Sequence, residues 1–257
     1  MTLPEKITHY KYKYSCFFYS QCLIYNHRLL NIILSGLFLP KNWKSLNQQK
    51  TKPMKDRTLS LIAGFSYLII FFAAIFANFF VLESIFNNPL ETIQQNHMTV
   101  RYGILAFIIT VVFDVVVAWA LYELYKNHIL SGLSTYFRLM HAVIMGVAIF
   151  ALPLALVSTT SEEILKQANI FNIIWLIGLF FFGIHLILLG KIIVKPKLIS
   201  FFLIIAGIMY MIDTAAHFVL PNYETYSSIF LVFVAIPSII GEMSFSIWLL
   251  VKGGKEY

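Results

Sequence analysis

Six apolar stretches separated by short polar breaks follow Arg57: Leu59–Leu82, Tyr102–Tyr122, Ser134–Val157, Phe171–Val194, Leu198–Leu220 and Ser227–Val251. Each runs to about 20 residues or more, enough for a helix rising about 1.5 Å per residue to cross a hydrocarbon layer about 30 Å thick. In lipid, backbone amides must be paired inside the protein, so these stretches are read as helices. A charge inside one of them needs a counterpart. The expected fold class is therefore all-α, an integral membrane bundle of six transmembrane helices. A soluble helical protein would need polar faces that segments so long and so uniformly apolar do not have.

Charge is scarce, at 12% of residues, against about 25% in a soluble domain. The formal net charge of +7 comes from one place. Residues 1–53 hold eight basic residues and the single acid Glu5, whereas the remainder carries eleven of each sign. The excess thus belongs to a tail ahead of the membrane domain (residues 54–257), so a nucleic-acid-binding face is not expected. Both cysteines, Cys16 and Cys22, lie in that tail. Their spacing is neither a zinc nor a redox motif. The tail's longest apolar run, Leu29–Pro40, is too short to span a bilayer and does not resemble a secretory signal. Two readings of the tail stay open. It is a basic interfacial segment lying on an anionic membrane surface, or an extension upstream of a start at Met54.

Positive residues gather at cytoplasmic ends. With the N-terminus inside, one side carries Lys55, Arg57, Lys126, Lys191, Lys195, Lys197, Lys252 and Lys255. The other carries only Arg101 and Lys166, with Glu83, Glu91, Glu162, Glu163 and Glu224. Both termini are expected in the cytoplasm. Pro196 and Pro221 are expected to end helices, and Pro153 and Pro237 to kink the third and sixth spans.

Counting along the spans brings five ionisable residues of four helices to one layer in the inner half of the bilayer: Asp114, Arg138, His141, His185 and Glu242. Helical spacing puts Thr110, Asp114 and Tyr122 on one face, Ser238, Glu242 and Ser246 on another, and Gly64, Tyr67, Ala74 and Asn78 on a third. Asp114 would pair with Arg138, or Glu242 would. Two acids against one arginine leave the layer one negative charge in excess, so a shared proton on His141, His185 or a carboxyl is expected there. A second group on helix five joins Tyr210, Asp213 and His217 nearer the outer side, and Asp213 and His217 are four apart and able to hydrogen-bond. For each group the competing reading is structural, since buried polar side chains commonly tie membrane helices together at about 0.6 kcal/mol per interaction.

No HExxH, HxxxH, GxSxG, P-loop or GxGxxG pattern is present. Neither a metal nor another cofactor is expected, and no catalytic residue is assigned. Asp213 and His217 could supply two metal ligands, but a third is not identifiable.

The landmarks, taken as a string, resemble a bacterial multi-pass membrane family, domain of unknown function 4386. They begin with Arg57 and Tyr67-Leu68, then Arg101-Tyr102-Gly103, Asp114-Val115, Leu121-Tyr122 and Phe137-Arg138-Leu139. They continue with Gly183-Ile184-His185, Leu189-Gly190 and Gly207 through Asp213, and end with Pro221, Gly241-Glu242 and Trp248 through Gly253. One departure is Ser200, where the family tends to have glycine. The resemblance implies a six-helix protein of a bacterial cell membrane and supplies no activity.

Three functions stay open. The first is a non-enzymatic membrane component, alone or with protein partners or copies of itself, which calls for a filled bundle. The second is a proton-linked transporter, which calls for a wet vestibule reaching Glu242. The third is a membrane enzyme acting on a lipid-like substrate, which calls for a slot facing the lipid.

Overall fold

The computed structural model describes residues 54–254. The tail with its two readings, Cys16, Cys22 and Lys255 lie outside the described residues. Among the described residues all regular structure is helical. Six helices are long and apolar enough to cross a membrane: α1 (Asp56–Asn87), α3 (His97–Tyr125), α4 (Ser131–Val157), α5 (Ser161–Ile192), α6 (Lys197–Val219) and α7 (Tyr223–Val251). A short α2 (Pro89–Gln94) sits in the first loop. The end carrying Lys126, Lys191, Lys195, Lys197 and Lys252 is here called inner, the opposite end outer.

The expected spans are all present, but several helices run past them. At 32 residues, α1 and α5 measure about 48 Å, well beyond a hydrocarbon layer. The extra turns of α5 start at a cap, where the Glu163 amide donates to the Thr160 hydroxyl at 3.3 Å and the Thr159 amide to the Glu163 carboxylate at 3.3 Å. They also pack on the loop, with Ile85, Ile93 and Ile164 buried together. A count of apolar residues alone stops short of such an extension, because its outward face is polar.

Each long helix packs on the next in the chain, and the inner half of α7 returns to α1, so the six form a ring. The wall from α3 to α6 is tight. Gly183 on α5 meets Gly207 on α6 so closely that a Cβ at Gly183 would lie 2.6 Å from the Gly207 carbonyl. Further in, the Ser200 hydroxyl donates to the Gly190 carbonyl, so the serine that departs from the family's glycine ties this hairpin. In the outer half, the rings of Phe107, Phe171 and Trp175 pack against one another in tilted and edge-on contacts.

The seam between α1 and α7 is different. At the inner end the Arg57 guanidinium donates to the carbonyls of Leu249 and Gly253, both at 3.0 Å, and to that of Leu250. It thereby caps the end of α7 with a residue of α1. Ser246 donates to the Gly64 carbonyl at 3.0 Å one turn deeper. Farther out, Tyr223–Ser238 packs on α6 and departs from α1. Leu231, Val232, Phe233 and Ile236 are each more than half exposed there.

Both helices of this seam are irregular where they part. After Pro237, which has no N–H to continue the ladder, α7 becomes π-helical over Ile239–Met243. Helix α1 is π-helical over Phe76–Leu82, beside Asn78, whose side chain donates to the Ala74 carbonyl at 2.9 Å. The expected disturbance at Pro153 is a break at Phe150, three residues upstream.

Candidate functional site

Arg138 organises the polar layer. It is 1% exposed. Its Nη2 donates to Asp114 Oδ1 at 2.6 Å, and its Nη1 donates to the Tyr67 hydroxyl at 2.8 Å and to His185 Nε2 at 3.2 Å. The guanidinium also lies against the rings of Tyr67 and Phe182, 4.8 and 5.4 Å from their centroids. Three helices are locked by these contacts, α1 and α5 onto α4, and the Asp114 pair adds α3.

The geometry fixes the role of His185. An arginine has only donors, so Nε2 must accept, and the ring proton is on Nδ1. That proton points at Ser134, whose carbonyl and hydroxyl oxygens lie 3.0 and 2.9 Å away. His185 is therefore a neutral, fully used bridge and cannot be the bearer of the shared proton. His141 Nε2 stands 3.6 Å from Asp114 Oδ2, close enough for charge attraction but too far for a hydrogen bond. Its buried Nδ1 has no partner.

Asp114, and not Glu242, is thus the partner of Arg138. Glu242 takes part in no hydrogen bond or ion pair with another described side chain. Instead it fronts a cavity of about 520 Å³ inside the ring. At the inner end the cavity is floored by Asp114, Arg138, His141 and Glu242. Above them it is walled by apolar and aromatic side chains, among them Phe71, Phe79, Trp175 and Phe182. Both π-helical segments border it, through Asn78 and Phe79 on α1 and through Ile239 and Glu242 on α7. Its upper wall includes the exposed side chains Phe79, Glu83 and Leu231, at the place where α1 and α7 separate. The interior is neither filled nor uniformly polar. It is a greasy chamber with a charged floor and a slot in its side.

Several expected groupings differ. Tyr122 is 40% exposed and does not join Asp114, because eight residues of helix turn the side chain by about 80°. Ser246 bonds α1 at the inner seam and lies outside the cavity. The outer pair on α6 is also rearranged. Asp213 accepts from the Tyr223 hydroxyl at 2.7 Å, and the His217 ring stacks edge-on against Tyr223, 4.6 Å between centroids. The first turn of α7 reaches Asp213 before His217 does. Tyr210, grouped with that pair in the sequence, lines the cavity with Glu242 and Ser238 instead. Among the described residues no three His, Cys, Asp or Glu side chains converge to hold a metal.

A family model described as a domain of unknown function, DUF4386, matches residues 62–253. The chain belongs to this family. The match runs from within α1 to the end of α7 and includes every residue of the cavity floor. Among curated proteins the chain is similar to one from Archaeoglobus fulgidus described as an uncharacterized protein, 30% identical over 160 residues, which is 60% of this chain and 85% of the relative. No solved structure matches the chain. The DUF4386 chain is a multi-pass membrane protein by its six spans, and neither comparison attaches an activity to its cavity.

Proposed function

We propose that the chain is a membrane-embedded binding protein for an amphipathic small molecule, which enters from the outer half of the bilayer between α1 and α7. In this reading both termini face the cytoplasm, as the lysines suggest. The observation that carries it is the cavity of about 520 Å³, within the range of drug-sized ligand sites, roughly 300–1,000 Å³. A component that served only as a scaffold would have no reason to keep such a space between helices, where each lost contact costs dispersion energy.

The chemistry of the lining supports binding over bond-breaking. Thr110 donates to the Phe107 carbonyl at 2.7 Å and Ser238 to the Ala235 carbonyl at 3.3 Å. The hydroxyl protons are spent on their own helices, and neither group meets a histidine as an activated nucleophile must.

Alkylation tests the reading. In the full chain with Cys16 and Cys22 changed to serine, Ala74→Cys places a thiol in the cavity wall, and Ala168→Cys places one in the packed core, where the residue is 0% exposed. In liposomes, N-ethylmaleimide is expected to modify position 74 at least tenfold faster than position 168. Equal, slow rates at both would mean that the bundle is closed and would overturn the reading.

A further inference from the structure

We infer that the molecule taken up by this cavity is a hydrophobic organic cation, an alkylamine or quaternary ammonium, with Glu242 as its counter-charge. The inference rests on the binding function proposed above and adds the sign of the ligand's head.

The first ground is which charges are free. At the cavity floor Arg138 has both terminal nitrogens committed to Asp114, Tyr67 and His185. Its Nε carries no partner but also no accessible surface, so no anion can reach it. Asp114 has one oxygen on Arg138 and the other facing His141. That set is neutral and self-contained when His141 is neutral. Glu242 shares the cavity floor with Arg138 and Asp114, yet it bonds neither. Among the described residues it is the floor carboxyl group that faces the chamber without a bonded partner. A phosphate or carboxylate head would meet this carboxyl group with no free described cation to hold it, at a cost that a low-dielectric site does not forgive. An ammonium head would take the place of the proton that otherwise balances the layer's charge.

The walls are the second ground. Tyr67, Phe71, Phe79, Phe86, Trp175 and Phe182 all contribute to the lining. Aromatic faces attract a cation, the more so once it is desolvated. They also accept an alkyl chain without penalty. Third, the mouth has the same sign as the floor. Glu83 lines the upper rim, and the outer loops are dominated by Glu91, Glu162, Glu163 and Glu224 over Arg101 and Lys166. Acidic clefts concentrate cations at their entrance.

The test holds the tail constant and changes the head. Dodecyltrimethylammonium, dodecanol and dodecanoate are added, at equal mole fraction in the bilayer, to liposomes containing the full-length, otherwise cysteine-free Ala74→Cys chain. Protection of the thiol at position 74 from N-ethylmaleimide is then read. The ammonium compound is expected to slow alkylation at least tenfold, with less than twofold slowing by the other two. Adding Glu242→Gln should abolish the ammonium effect while the thiol stays reactive. Equal protection by all three heads, or preference for dodecanoate, would overturn the cation assignment and leave the binding function standing. No protection of a reactive thiol by any head would overturn the cation assignment as well. An unreactive thiol at position 74 would sink the binding function itself. The head-group series with Glu242 intact decides the matter even if Glu242→Gln fails to fold.

Discussion

Replacing Asp114 with asparagine should destabilise the bundle more than replacing Arg138 with methionine, and making both changes should be milder than the aspartate change alone. The pair is 2.6 Å apart, with side chains 1% and 5% exposed. Asparagine keeps the shape and one acceptor, so Asp114→Asn removes little but the anion. The guanidinium it strands cannot shed its proton, and breaking a buried pair in this way costs about 3–5 kcal/mol. Arg138→Met strands a carboxylate instead, which can take up a proton, while the thioether fills the space between Tyr67 and Phe182. The expected cost is about 1–3 kcal/mol. For a domain of this size each kcal/mol moves the unfolding midpoint by roughly 2–4 °C, so Asp114→Asn should lower it by about 6–20 °C. The assay is thermal unfolding of the full chain in a mild detergent, followed by circular dichroism, for both single variants and the double variant. If the double variant were less stable than Asp114→Asn, or the two single effects simply added, the claim that these residues form one self-contained neutral unit would fail.

Two further perturbations probe the frame around the site. Arg57→Ala uncaps three carbonyls of α7 and should cost about 1.5–3 kcal/mol in the same unfolding assay. Arg57→Lys should recover less than half of that, since one ammonium cannot span the three acceptors. Gly183→Ala drives a methyl against the Gly207 carbonyl and should cost about 1–3 kcal/mol. Gly146→Ala, on the same bundle with open space around it, should instead be neutral or stabilising by up to about 1 kcal/mol. A comparable loss at both glycines would refute the close α5–α6 approach.

The spans were legible because hydropathy over some twenty residues is a one-dimensional signal and lipid leaves helices as the only solution. The shared depth of Asp114, Arg138, His141, His185 and Glu242 was legible for the same reason, since rise per residue converts position into height. What spacing could not give was direction around the helix axis. Tyr122 drifts off the Asp114 face within eight residues. The π-helical turn at Ile239–Met243 resets the stripe that a regular helix would run from Ser238 to Ser246. Asp213 finds Tyr223, a contact between two helices, before the intrahelical His217. Tyr67 carries no charge and reads in sequence only as part of a helix-one face, yet it completes the arginine's shell. Its signal was a lone tyrosine hydroxyl in an apolar span at the depth of a buried cation. The cavity itself had no signature in sequence, because it depends on where α1 and α7 cease to touch.

Whether a buried polar residue holds a membrane protein together or serves a ligand turns on how much of its bonding capacity the fold already uses. By that criterion the residues around the cavity floor differ, and the His141 ring, like Glu242, is held there without a hydrogen bond. His185 has both ring nitrogens engaged, and Arg138 spends both terminal nitrogens on Asp114, Tyr67 and His185. Together they join α1, α3, α4 and α5 into one body whose glycine contacts extend it to α6. Glu242 belongs to the one helix that this body does not grip along its full length. It sits in a π-helical turn, a distortion recurrent at functional positions, which aims its side chain inward. A carboxyl group carried by α7 and facing aromatic rings across the cavity has no side-chain hydrogen bond to lose. Any partner it acquires from the bilayer is a gain for the whole assembly, and this makes Glu242, more than the better-bonded Arg138, the residue on which a ligand's choice should depend.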